Sequence, residues 1–127
     1  MKIKLGQLID PGKNLDALFE ETFKSAFQFK LLRIARMIVP EIKDYFKAIE
    51  PIIKRYNGQA QEGGIVVFDK EFAVEANNDI LALQNQEIEL DFEKIKLSDI
   101  ESNLAGDSPE IKIKQLLALD WLIDLEA

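Results

Sequence analysis

The chain has 127 residues, with 23 acids against 16 bases, and it contains neither histidine nor cysteine. Its length and its 47% hydrophobic and 31% charged residues fit a single soluble globular domain over 1–127 better than a disordered chain. The missing residue types exclude disulfides, thiolate zinc sites, cysteine nucleophiles and histidine general bases.

Lys2-Ile3-Lys4-Leu5 alternates with period two and reads as a short edge strand. It lacks the apolar core of a signal peptide, so the expected setting is a virion or a host cytoplasm. No run approaches 18 apolar residues, and no membrane helix is expected. Asp10-Pro11-Gly12 is turn chemistry, and Asn14 can cap the helical stretch after it.

From about Leu15 to Tyr56 the pattern is helical. Leu31, Ile34, Ile38, Ile42, Tyr45, Ile49, Ile52, Ile53 and Tyr56 recur at three- and four-residue steps, one apolar stripe facing a core. Pro40 and Pro51 interrupt it, each lacking a good cap before it. This favours one kinked helix, with a break near Pro40 as the alternative. Asn57-Gly58 ends the helix, the glycine taking the left-handed position.

A glycine-rich loop over 57–64 leads to strand-forming Ile65-Val66-Val67-Phe68. Asp69 is placed to cap a helix carrying Phe72, Ala76, Ile80 and Leu83 on one face. In Glu87-Ile88-Glu89-Leu90-Asp91-Phe92-Glu93 acids and apolar residues alternate strictly. That predicts a strand with Ile88, Leu90 and Phe92 inward and four acids outward. Lys94–Leu97 continues extended. Ser98 with Glu101 reads as a capping box for a short helix through Leu104 that Gly106 stops. Ser108-Pro109-Glu110 opens a last helix over 109–125. The expected fold is α+β: a long kinked N-terminal helix plus shorter helices packed on a small sheet of short strands.

Two charge patterns are the candidate functional features. Residues 1–57 carry 11 Lys/Arg and 7 acids, net +4, whereas 58–127 carry 5 and 16, net −11. Arg36, Lys43, Lys47 and Lys54 lie within about 40° of one another on a helix wheel, in a stripe roughly 27 Å long. That suits phosphate-backbone contact, but it is also what the solvated face of an amphipathic helix looks like, and Glu50 shares the stripe. The second pattern is Glu87, Glu89, Asp91 and Glu93. On one strand face these carboxylates would stand about 7 Å apart, too far for neighbours to share a cation well. They read as a solvated face or a surface for docking a protein.

Nothing points to catalysis. Glu41-Ile42-Lys43 and Glu110-Ile111-Lys112 echo the acid-x-Lys pattern of metal-dependent nucleases but lie on no convincing strand. Apart from tyrosine, the hydroxyl residues are Thr22, Ser25, Ser98, Ser102 and Ser108, with Ser98 and Ser108 better explained as caps. Trp121 reads as a core anchor. No phosphate-binding glycine loop occurs. No enzyme activity, metal or cofactor is expected.

The order of features resembles a family of small tailed-bacteriophage proteins of unknown function. The likeness covers most of residues 25–125. It rests on Phe29-Lys30-Leu31-Leu32-Arg33-Ile34-Ala35-Arg36, on Ile49-Glu50-Pro51-Ile52-Ile53-Lys54-Arg55-Tyr56-Asn57-Gly58, and on the run from Gln86 to Ile100. The resemblance implies a phage or prophage origin and a place among virion or late-gene proteins, and it brings no active-site residue. The leading expectation is a non-enzymatic virion or assembly component of a neck, tail or head-completion structure. Its partners would be proteins, either copies of itself or other virion proteins. The alternative is an acidic soluble regulator that binds and inhibits a nucleic-acid-processing enzyme of host or phage. Direct nucleic-acid binding through the basic stripe is a third reading.

Overall fold

Twelve elements, one of them long, set by where each backbone hydrogen bond finds its partner, make up the computed structural model, which describes residues 1–9, 13–61, 66–106 and 109–125. In chain order they are β1 (Lys2–Lys4), a 3-10 turn (Leu5–Leu8), α1 (Asn14–Glu20), α2 (Ser25–Arg55), β2 (Gln59–Ala60), β3 (Val66–Val67), α3 (Ala73–Gln84), β4 (Glu87–Glu89), β5 (Ile95–Lys96), α4 (Leu97–Asn103), α5 (Ile113–Leu117) and β6 (Ile123–Asp124). The fold is α+β, a long helix and shorter helices with small sheets of short strands. Each sheet has two strands: β1–β4 and β2–β3 are antiparallel, and β5–β6 is parallel.

The chain forms two compact units. One gathers Met1, Gly12–Ile38 and Leu90–Ala127; the other gathers Lys2–Pro11 and Val39–Glu89. The buried side chains of the first include Leu18, Phe23, Phe27, Leu31, Ile34, Ile38, Ile95, Ile100, Trp121, Leu122 and Ile123. Phe23 and Phe27 meet edge to face with centroids 5.0 Å apart, a favoured aromatic geometry. In the second unit Ile3, Leu5, Leu8, Tyr45 and Ala76 are buried.

The helix α2 runs unbroken through Pro40 and Pro51. Its predicted stripe is buried at Leu31, Ile34, Ile38 and Tyr45 and half-buried at Ile42, Ile49, Ile52, Ile53 and Tyr56. The helical reading from Leu15 onward needs correction, because the chain leaves the helix between α1 and α2. There Phe23 forms an antiparallel bridge with Leu104, flanked by Lys24 N–H to the Asn103 carbonyl at 2.8 Å and Ala105 N–H to the Thr22 carbonyl at 3.0 Å. The end of α2 is also different in detail. Asn57, not Gly58, takes the left-handed backbone, at φ 53°. Gly58 N–H then reaches back to the Ile53 carbonyl at 2.8 Å, the long bond of a Schellman turn. Gly58 is required by crowding: a Cβ there would lie 2.8 Å from Phe68 and Val66.

Several predicted caps are not caps. The first turn of α1 closes on the carbonyl of Lys13, which is left-handed, so Asn14 is already helical. Asp69 accepts Phe72 N–H through its backbone carbonyl in a turn, and α3 begins after it. Leu97 enters α4 straight from β5, leaving Ser98 inside the helix. That helix stops where Leu104 turns extended to pair with Phe23, ahead of Gly106. The helix expected over 109–125 is only α5, five residues long. Beyond it the chain turns so that Ile123 pairs with Ile95, supported by Ile95 N–H to the Leu122 carbonyl at 2.9 Å. Long-range pairing overrides local helix propensity here. The predicted turn at 10–12, positions 62–65 of the predicted loop and strand, and the Ser108 cap lie outside the described residues.

Candidate functional site

The basic stripe is exposed where the wheel places it. Arg36, Lys43, Lys47 and Lys54 all face solvent on α2. Sequence reasoning missed the apolar residues beside them. Val39 is 40% and Phe46 55% exposed. Seven residues apart, they form a ridge turned about 70° from the stripe and roughly a right angle from the buried face. The second unit carries another such ridge, Val74 and Leu81 on α3, again seven residues apart and exposed. Apolar residues outside the main stripe carry no mark in sequence, because a lone surface leucine or valine is ordinary. Their spacing on one helix was the only available signal.

The strand expected to carry the acidic ladder over 87–93 is shorter than predicted. β4 ends at Glu89, and Asp91 and Phe92 lie in a bend. Leu90 is buried as predicted, while Ile88 and Phe92 are half-buried. Leu90 N–H donates to the Met1 carbonyl, and the Met1 ammonium donates to the Leu90 carbonyl, both at 2.8 Å.

Glu87 and Glu89 remain exposed in the second unit, but β1 sets lysines opposite them. Lys4 pairs in register with Glu87 and Lys2 with Glu89. Opposite charges facing across an antiparallel pair attract each other, so this surface is alternating rather than acidic.

Asp91 and Glu93 belong to the first unit and line a groove of about 590 Å³. Across it stand Lys30 and Arg33 of α2, with Lys94 and Lys96 on the same side as the acids. Half-buried Phe92 and Met37 contribute apolar surface. The adjoining Phe29 is 58% exposed and also borders a second cavity of about 430 Å³ with Phe19, Leu31, Leu32 and Ala35. The first cavity offers mixed charge, the second aliphatic and aromatic surface.

A few polar side chains tie elements of the fold together. Glu21 is a buried carboxylate whose Oε2 accepts the backbone N–H groups of Glu110 and Ile111, each at 2.9 Å. Tyr56 donates its hydroxyl to Asp79 Oδ2 at 2.8 Å, and Arg55 lies 3.9 Å from the same oxygen. The hydrogen bond to the Asp79 carboxylate holds the Tyr56 phenol above its ordinary value, and Arg55 opposes it. Buried Tyr45 accepts from Gln84 Nε2 at 2.9 Å. Ser102 donates to the Asp99 carbonyl within its own helix. Among the described residues no three carboxylates converge to hold a metal ion, and no helix is long and apolar enough to cross a membrane.

Comparison with models of known families, with curated proteins and with solved structures finds no match to this chain.

Proposed function

We propose that the protein is a non-enzymatic small phage protein, a virion or assembly component of a neck, tail or head-completion structure, acting through protein–protein contacts. The observation that carries the interaction part is the solvent-facing set of bulky apolar side chains on regular helices. Phe29, Phe46, Val74, Leu81 and Ile113 all exceed half exposure. Val39 with Phe46 on α2, and Val74 with Leu81 on α3, each recur on one helix face, and apolar surface that recurs on a face is what partners cover. The phage setting is supported by the resemblance of most of residues 25–125 to the tailed-phage family.

The regulator reading needs an acidic surface that competes with nucleic acid for a basic cleft. Lys2 and Lys4 stand across from two of the four acids it would use, which weakens that field. The nucleic-acid reading needs the α2 lysines to act on a backbone, and Glu50 and an apolar ridge adjoin them.

Mass spectrometry of particles purified from the strain carrying the gene tests the proposal. The protein is expected in the particle, at a copy number that is a small multiple of a virion symmetry. Its absence from both particles and assembly intermediates refutes the reading.

A further inference from the structure

The two exposed ridges of the second unit complement each other. Val39 and Phe46 on α2, and Val74 and Leu81 on α3, are each separated by seven residues, about 10.5 Å along a helix. Run antiparallel, the ridges set the larger Phe46 against the smaller Val74 and the larger Leu81 against the smaller Val39. Large against small is how helix surfaces interdigitate.

Charge favours the same arrangement. Beside Phe46 and toward the end of α2 stand exposed Lys43, Lys47 and Lys54, with Glu50 among them. Around Val74, at the start of α3, stand exposed Asp69, Glu71 and Glu75, with Lys70 among them. The antiparallel pairing brings the basic end of one ridge to the acidic end of the other. Docking α2 on α2 would instead gather lysines, and docking α3 on α3 would gather acids.

We propose that α2 of one copy docks antiparallel on α3 of a second copy, with Phe46 on Val74, Val39 on Leu81, and Lys47 and Lys54 facing Glu71 and Glu75. This rests on the reading that the protein works through protein contacts, and it names the partner as the chain itself. The two surfaces are different, so the contact is heterologous. Each copy keeps one ridge free, and addition continues into a ring or a filament according to the rotation per step.

Sedimentation velocity across a wide concentration range at about 0.1 M salt is the test. Wild-type protein is expected to form species larger than the 14.5 kDa monomer, receding as salt rises. Phe46→Glu places an acid against the acidic end of α3, and Val74→Lys places a base against the basic end of α2. Each alone is expected to weaken assembly by about tenfold or more, since each removes the central apolar anchor and adds repulsion. Together in one chain they set an acid opposite a base, which lifts the repulsion but does not replace the apolar anchor, so assembly is expected to recover in part relative to either single variant.

Both residues are more than half exposed, but Phe46 also meets buried Tyr45 edge to face with centroids 5.4 Å apart, so circular dichroism must first show that each variant keeps the fold. A wild-type monomer at every concentration overturns the proposal. So does loss of assembly with Phe46→Glu but not Val74→Lys, which marks an α2–α2 contact. A double variant that assembles no better than either single variant overturns the pairing register. Protein found in particles but monomeric in solution refutes this contact alone, whereas self-assembly without incorporation refutes the virion reading alone.

Discussion

Glu21→Ala isolates one interaction that sequence could not foresee. A single oxygen, Oε2, accepts the N–H groups of Glu110 and Ile111 at 2.9 Å each. Truncation leaves both donors without their acceptor. An orphaned buried donor costs about 1–3 kcal/mol. Glu110 is exposed and Ile111 only half-buried, so water recovers part of that, and the expected loss is about 2–3 kcal/mol. Glu21→Gln keeps an acceptor oxygen but removes its charge. Neutral hydrogen bonds are about half as strong as charge-assisted ones, so about 1 kcal/mol is expected there. Neighbouring Glu20 is exposed, and Glu20→Ala serves as control within about 0.5 kcal/mol. Urea unfolding at constant m gives the three values. Amide exchange at Glu110 and Ile111 should accelerate in Glu21→Ala before the remainder of the unit opens. A Glu21→Ala midpoint equal to that of Glu20→Ala would refute the role assigned to this carboxylate.

The geometry sets three further outcomes. With Tyr45→Phe leaving Tyr56 as the sole phenol of the chain's two tyrosines, ultraviolet titration should place Tyr56 above pH 10 and Asp79→Asn should lower it. Because the folded value is raised, the associated stability is fully present below pH 10 and fades as pH climbs through the folded value; an unmoved titration in Asp79→Asn refutes the assignment. Lys4→Glu should destabilise through like charges facing Glu87, and adding Glu87→Lys should restore stability, with a coupling of about 0.2–1 kcal/mol that shrinks in salt. A double-mutant cycle with no coupling at low salt rejects that pairing. Gly6→Ala sets a Cβ 2.9 Å from Gln84 Cβ and 3.2 Å from its carbonyl oxygen. Thermal melts should show a loss of about 1–3 kcal/mol from overpacking, and an unchanged midpoint contradicts the close approach.

The parts of the fold legible in sequence were those decided locally. A nine-residue stripe at three- and four-residue steps outweighed two prolines, and α2 is continuous. Period-two alternation located β1 and β4. The parts not legible were decided by residues far away in the chain. Strict alternation from Glu87 to Glu93 promised one strand, but β4 pairs with only three residues of β1. The next pair in the same register, Met1 and Leu90, still exchanges two hydrogen bonds, and the chain bends away at Asp91 and Phe92. The apolar pattern of 109–125 fits a helix, yet Ile123 gains more from burial beside Ile95 than from another helical turn. Ser98 looked like a cap until β5 ran directly into α4. At the candidate surfaces, sequence located the exposed lysines of α2. It could not give the lysines facing Glu87 and Glu89, because register joins residues more than 80 positions apart. Nor could it single out Val39, Phe46, Val74 and Leu81, whose exposure depends on what the rest of the chain leaves uncovered.

The way the chain is divided between its two units also orders its birth on the ribosome. The second unit needs only residues up to Glu89, so its β1–β4 pairing can close as soon as that strand emerges. The first unit spans Gly12–Ile38 and Leu90–Ala127, with bridges such as Phe23 to Leu104 that join residues about 80 apart. Early segments α1 and the start of α2 must therefore wait, apolar faces uncovered, while more than 50 residues are synthesised between them and their partners. At about 5–20 residues per second that wait lasts several seconds. Protease added to stalled nascent chains should cut first in 13–38 and stop cutting there once β6 is out. The apolar face of Leu15, Leu18, Phe27 and Leu31 is then the stretch most in need of chaperone cover during synthesis.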